Sequence, residues 1–112
     1  MMVRYATADD VRQWFGEVPA TMRAMVVERD GKVAAIAGLA RMPDHWQAFS
    51  AFAPEMRAHG YYLAKLAKQF AGLLEAAPGA VFAIASKTEP TAPALLSRLG
   101  FVEQPNGMWR YG

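Results

Sequence analysis

The stretch PEMRAHGYYL, residues 54–63, decides how this chain is interpreted. It joins a predicted strand, His45–Ala53, to the longest predicted helix, residues 58–77. Apolar residues recur in that helix at the spacing of one helical face: Leu63, Leu66, Ala67, Phe70 and Leu74. The stretch therefore predicts a turn from a strand directly into a long amphipathic helix.

The start of this helix has the chemistry of an anion site. The first turn of a helix has free backbone N–H groups and the positive end of the helix dipole, and both favour a phosphate. Gly60 allows close approach of the backbone, and Arg57 and His59 add positive charge. The alternative interpretation is an ordinary surface arginine, a turn glycine and a solvated histidine.

The hydrophobic pattern of the whole chain predicts the element order β-α-β-β-β-α-β-α-β-β. This order is typical of an α/β (α+β) fold, a mixed sheet with helices on both faces. An Asp30-Gly31 hairpin joins two β-like runs. The broken alternation between Trp46 and Phe49 indicates a bulge or a strand buried on both sides. The other predicted elements are the strand Met2–Tyr5, the helix Ala8–Phe15, the strands Met22–Glu28, Lys32–Arg41 and Ala80–Ala85, the helix Thr88–Leu99, and the hairpin strands Phe101–Glu103 and Met108–Tyr111.

Three motifs resemble those of the GNAT superfamily of acyl-CoA-dependent N-acetyltransferases. Arg57-x-x-Gly60-x-Tyr62 resembles the pyrophosphate loop Arg/Gln-x-x-Gly-x-Gly/Ala and departs from it at the third position. The segment from Glu89 to Phe101 resembles the pattern Asn-x-x-Ala-x-x-x-Tyr-x-x-x-Gly-Phe, and residues 4–10 resemble Arg-x-Ala-Thr-x-x-Asp. The resemblance covers nearly the whole chain and implies a single GNAT-like domain over residues 1–112.

The resemblance implies that acetyl-CoA lies in a splay between the fourth and fifth strands. The fourth strand, with Phe52 and Ala53, would bind the pantetheine arm through its backbone. Glu89 stands at the position of the motif asparagine, and the simpler alternative is that it caps its helix. The residues that would hold the pyrophosphate are Arg57, Ala58, His59, Gly60, Tyr61 and Tyr62. An amine would attack the thioester directly, since the chain has no cysteine to carry the acyl group.

The catalytic residues depart from the pattern of that superfamily. Leu96 stands where a tyrosine usually protonates the leaving thiolate, and the fourth strand has no acidic residue. Its titratable residue, His45, is the one catalytic candidate, with a structural role as the alternative. Tyr62 either crowds the phosphates or points away from them. Of Tyr61 and Tyr62, one ring is expected in the core and the other beside the cleft.

Two functions follow from these observations. The first is transfer of an acetyl group from acetyl-CoA to a small-molecule or peptide amine. The second is a non-catalytic GNAT-like module that binds CoA or a partner protein. The aromatic fourth strand, Trp46-Gln-Ala-Phe-Ser, resembles that of short phage-encoded members, some of which are virion components. The resemblance also places part of the acceptor site between Phe15 and Met22, where this chain is very short.

Composition excludes several classes of partner. The net charge of +2 over 112 residues is too small to predict nucleic-acid binding. The sequence contains no apolar run of about 18 residues, so we expect no membrane span. The absence of an apolar signal core predicts a cytoplasmic protein, or a virion-associated one if phage-encoded. The two histidines have no acidic neighbours at ligand spacing, so we expect no metal. A 54% hydrophobic composition makes a homodimer a candidate assembly.

Overall fold

The elements of the computed structural model follow the chain in the predicted order. The structure describes residues 1–16, 21–84 and 92–111. A 3-10 helix, Pro54–Ala58, is an addition to that order, and the long helix starts at Gly60 and not at residue 58. The helices and strands are β1 (Met2–Tyr5), α1 (Ala8–Phe15), β2 (Met22–Arg29), β3 (Lys32–Arg41), β4 (Trp46–Phe52), α2 (Gly60–Ala76), β5 (Val81–Ala83), α3 (Ala92–Leu99), β6 (Phe101–Glu103) and β7 (Trp109–Tyr111).

All seven strands form one mixed sheet in the order β1-β2-β3-β4-β5-β7-β6. Only the β4–β5 pair among these is parallel, because α2 returns the chain to the opposite end of the sheet between them. The predicted hairpin between β2 and β3 is confirmed: Asp30 and Gly31 have φ values of 51° and 78°. Positive φ at both central residues is the requirement of a type I′ turn, whose twist matches that of the strands.

The helices pack on both faces of the sheet, as predicted. On one face, here called the α2 face, Leu66, Phe70 and Leu74 of α2 lie in a core cluster with Val27 and Leu39. On the other, the α1 face, Val11 of α1 packs in a second cluster with β2 and β3 residues, namely Ala24, Val26 and Ile36. Among the described residues, no helix combines the length and the apolar content needed to cross a bilayer.

The broken alternation in β4 reflects packing on both faces. Trp46 and Ala48 belong with the α2-face cluster, whereas Phe49 and Ala51 pack with the α1-face cluster. Pairing with β3 is regular from Trp46 to Phe52, so the bulge alternative is wrong for this strand. The irregularity lies instead in the β2–β3 pairing, where Val27 pairs with Ala35 and Glu28 with Val33, so that Ala34 is the extra residue.

Arg4 and Asp10 tie the first strand to the first helix. The Arg4 guanidinium donates to both Asp10 carboxylate oxygens, at 2.6 and 3.0 Å, and to Glu28 at 3.0 Å. Asp10 also accepts from the Thr7 backbone N–H at 2.7 Å, and the Thr7 hydroxyl accepts from the Asp10 N–H, which completes a capping box. The hydrogen bond from Arg4 lowers the pKa of the buried Asp10 to about 2.

Asp10→Asn should lower the free energy of unfolding by about 2 kcal/mol, since it removes a buried charge-assisted bond. The Asp10 pKa is depressed below its usual 3.8, so this stabilisation is present above about pH 4 and is lost as the pH falls through 2. Urea titrations from pH 7 to pH 2 measure both effects. Asp9→Asn is the matched control, because Asp9 is 90% exposed, and it should change stability by less than about 0.5 kcal/mol. An equal loss in the two variants would contradict the assignment.

Candidate functional site

The strands β4 and β5 part after two paired positions. Trp46 pairs with Val81 and Gln47 with Phe82, and the Trp46 N–H donates to the Ala80 carbonyl at 2.9 Å. No further β4–β5 pair occurs among the described residues, although β4 continues alongside β3 to Phe52. Within the described chain, the β5 side of β4 is therefore unpaired from Ala48 to Phe52, and this open edge is here called the gap.

The β4 backbone presents polar groups to this gap. Successive residues in a strand direct their main-chain N–H and C=O groups to alternate sides. The Ala53 N–H donates to Ala34 of β3 at 2.8 Å, so this alternation directs Ser50 and Phe52 toward the gap. An extended chain that contains amide groups can pair with such an edge as an added strand would. Ser50 is a contributor that the sequence analysis missed, although the two-residue period of the strand could have identified it.

The N-terminus of α2 lies bare at the open end of the gap. His59 is the N-cap residue and makes no capping bond through its side chain, and the first turn contains no acidic residue. A Cβ added to Gly60 would meet nothing within 4 Å. The Tyr62 N–H donates to the His59 carbonyl at 3.0 Å, so the N–H groups of Gly60 and Tyr61, which precede it, are the ones accessible to an anion.

Arg57 lies between the end of β4 and the start of α2. Its guanidinium carbon is 5.6 Å from the centroid of the Phe52 ring, in cation–π contact. Met56, fully buried, anchors the short 3-10 helix that carries this arginine. The structure thus brings together the predicted group from Phe52 to Tyr62 at one end of β4.

The two tyrosines at the start of α2 have different environments. Tyr61 is 72% exposed, whereas Tyr62 packs against the α2-face cluster. Their rings meet edge to face with centroids 5.1 Å apart. Tyr62 is therefore the core ring, and the side chain at the departing motif position points into the protein.

His45 lies at the other end of β4. Phe52 is seven positions further along the chain, about 23 Å in an extended strand. The His45 Nδ1 is 2.6 Å from Oδ1 of Asp44, and this hydrogen bond lowers the pKa of Asp44. The imidazole packs edge to face on Phe82, with centroids 5.2 Å apart. His45 also lines a cleft of about 250 Å³ formed by residues 41–46 and 78–80.

Structural comparison identifies the fold. No protein-family model and no curated protein sequence matches the chain. The Escherichia coli ribosomal-protein-S18-alanine N-acetyltransferase superposes over 97% of this chain and 88% of its own, with a TM-score of 0.65 and 17% identity. A Vibrio cholerae spermidine N-acetyltransferase variant does so over 98% and 92%, with a TM-score of 0.62 and 16% identity. This chain has the GNAT fold.

One similar GNAT structure was solved with coenzyme A bound. This putative N-acetyltransferase from Escherichia coli matches 98% of this chain and 96% of its own, with a TM-score of 0.56 and 15% identity. Similarity at this level of identity carries the architecture and not the activity.

The two remaining motif positions, Leu96 and Glu89, belong to the segment before β6. Leu96 is half-buried on α3 and packs against the α2-face cluster, so this position presents no hydroxyl group. Glu89 lies outside the described residues. In the part of the chain that is described, no three acidic or histidine side chains converge as metal ligands would. Neither Asp44 nor Phe82 was a predicted site residue: Asp44 adjoins His45 in the sequence, whereas Phe82 reaches it only through the β4–β5 pairing.

Proposed function

We propose that this chain transfers an acetyl group from acetyl-CoA to a primary amine. The observation that carries the proposal is the gap between β4 and β5, which leads to the bare N-terminus of α2 at Gly60. A polar strand edge and an anion-binding helix start are the two features that an amide-containing arm with a pyrophosphate requires. The GNAT fold, one solved example of which is bound to coenzyme A, supports this use of the gap.

The proposed cofactor orientation runs along β4. The pyrophosphate would accept from the Gly60 and Tyr61 N–H groups, since that of Tyr62 is bonded to His59, with Arg57 and His59 supplying positive charge beside Ala58. The pantetheine amides would pair with the main-chain groups of Ser50 and Phe52, ahead of Ala53, whose own groups bond to Ala34 and Met56. The thioester would then lie deeper in the gap, toward the closed end at Gln47 and Phe82.

In the proposed reaction the neutral amine nitrogen attacks the thioester carbonyl carbon. The C–N bond forms, the C–S bond breaks, and coenzyme A leaves as the thiolate. The amine proton passes to Nε2 of His45 through water, because Asp44 holds Nδ1 and leaves the other ring nitrogen as the acceptor. A thiol has a pKa of about 8.5, so the thiolate departs without the acid that Leu96 cannot supply.

Calorimetric titration with acetyl-CoA and with CoA tests cofactor binding. We expect saturable binding of both ligands at micromolar to millimolar concentrations, and weaker binding of pantetheine, which lacks the pyrophosphate. Release of CoA thiol with a panel of amines then measures transfer. A folded protein that binds neither ligand at millimolar concentration would overturn the proposal.

A second candidate function is a CoA-binding module without catalysis. The packing of Leu96 into the core favours it, because no hydroxyl donor occupies that position on α3. This candidate predicts the same calorimetric result, with no CoA release above the hydrolytic background for any amine. The thiol-release measurement therefore separates the two functions.

A further inference from the structure

The two faces of the sheet are covered unequally where β4 and β5 part. Both α2 and α3 lie on the α2 face, since Leu96 and Leu99 pack against the same cluster as α2. On the α1 face, α1 reaches β4 through a Phe15–Phe49 contact with centroids 5.6 Å apart. Beyond β4 this face is open within the described chain, and Val102 of β6 is 63% exposed. The described chain therefore leaves the α1 face accessible to an acceptor beside this gap.

Arg110 stands beside the closed end of the gap on this face. Gln47, Phe82, Arg110 and Val102 pair in register across β4, β5, β7 and β6, so their side chains share the α1 face. The Arg110 guanidinium carbon lies 5.9 Å from the centroid of the Phe82 ring. His45 contacts the same ring. The Phe82 ring therefore contacts both His45, the proposed base, and the permanently charged Arg110. All three lie next to Gln47, the last residue of β4 that pairs with β5.

The charge of Arg110 is available to a ligand. Its side chain is exposed, and no ion pair links it to an acidic residue among those described. Asp44, which adjoins His45 in the sequence, pairs with the His45 ring at 2.6 Å and not with Arg110. A guanidinium in this position repels an ammonium group and binds a carboxylate in a bidentate manner.

We propose that Arg110 selects acceptors that carry a carboxylate as well as the reacting amine, such as free amino acids, and disfavours polyamines. This inference rests on the proposed acetyl transfer. Arg110 is a specificity residue, since it contacts the acceptor's carboxylate and not the thioester. Its contribution should appear in KM for the acceptor and leave kcat unchanged.

Matched amines test the selection. The probes are alanine and 4-aminobutyrate, each compared with its own amide, with spermidine as a polycation. Arg110→Gln should lower kcat/KM for the carboxylates about 10- to 100-fold, the worth of a charged hydrogen bond, and change that for the amides less than about 2-fold. Each variant is compared with the parent chain on the same amine, so differences in amine basicity cancel. Spermidine should be a poor substrate for the parent chain and a better one for the variant.

The control is Arg29→Gln, which removes the same charge at the end of β2. That position is three strands from β5, about 14 Å across the sheet, and this variant should retain the parent's preference. Two results would overturn this inference while the proposed function stands. One is an equal kcat/KM for each carboxylate and its amide, and the other is a kcat/KM for the carboxylates that Arg110→Gln leaves unchanged. Absence of transfer to every amine, with CoA still bound, overturns both.

Discussion

Gly60→Glu should lower the affinity for CoA by about 100-fold or more. The carboxylate would occupy the open space above the first turn of α2 and repel the pyrophosphate from the N–H groups it needs. The same carboxylate suits the positive end of the helix dipole, so the variant should fold at least as stably as the parent. Calorimetry with CoA, beside thermal unfolding, separates lost binding from lost structure.

Two variants of α2 glycines control this experiment. A Cβ at Gly60 meets nothing within 4 Å, so Gly60→Ala should fold normally and weaken binding less than about 10-fold. Gly72→Glu adds the same charge to the same helix at an exposed position with equal space, 12 residues away, and should leave CoA affinity unchanged. Equal losses for Glu at both glycines would show that the net charge of the chain, and not the start of α2, governs binding.

His45→Gln should reduce kcat by about 10²- to 10⁴-fold, the usual worth of a general base. The affinity for CoA should not change, because His45 lies about 23 Å along β4 from the end that carries the pyrophosphate residues. Glutamine keeps a hydrogen-bonding group beside Asp44 and much of the contact with Phe82. Stopped-flow measurement of thiol release gives kcat, and calorimetry gives the CoA affinity of the same sample.

The other histidine is the natural comparison. His59 occupies the N-cap position beside the proposed pyrophosphate site, so His59→Gln should change CoA affinity by a few-fold and leave kcat near the parent value. Added imidazole should partly restore turnover to His45→Ala, a result that a purely structural role would not produce. A His45→Gln variant with parental kcat would remove His45 from the mechanism and leave the gap and the α2 start as the binding site.

Much of the fold could be predicted because local chemistry and tertiary structure agree. Asp30-Gly31 supplies the two positive φ values of a tight hairpin whatever the rest of the chain does. The β3 run is apolar because both of its faces are covered, and α2 has one apolar stripe because only one of its faces is. The long helix was predicted two residues early, because a 3-10 helix ends at Ala58 directly before it and obscures the boundary in the sequence.

The candidate site was less predictable than the fold. Gly60, Arg57 and Phe52 are close in sequence, and a single strand-to-helix turn places them together. The environment of Tyr62 could not be predicted, since adjacent tyrosines at a helix start have equivalent local signals. Only packing against the sheet distinguishes the buried ring from the exposed one.

By itself the sequence determined the order of strands and helices along the chain and the hairpin, and it predicted an anion site in the segment before Leu63. These depend on backbone preferences and on spacings of a few residues, which are local properties of the chain. The tertiary structure alone decided that β4 and β5 part after Gln47 and that Phe82 joins His45 to Arg110. Those contacts link residues up to 65 positions apart, and only the pairing of distant strands brings such residues within reach of one another.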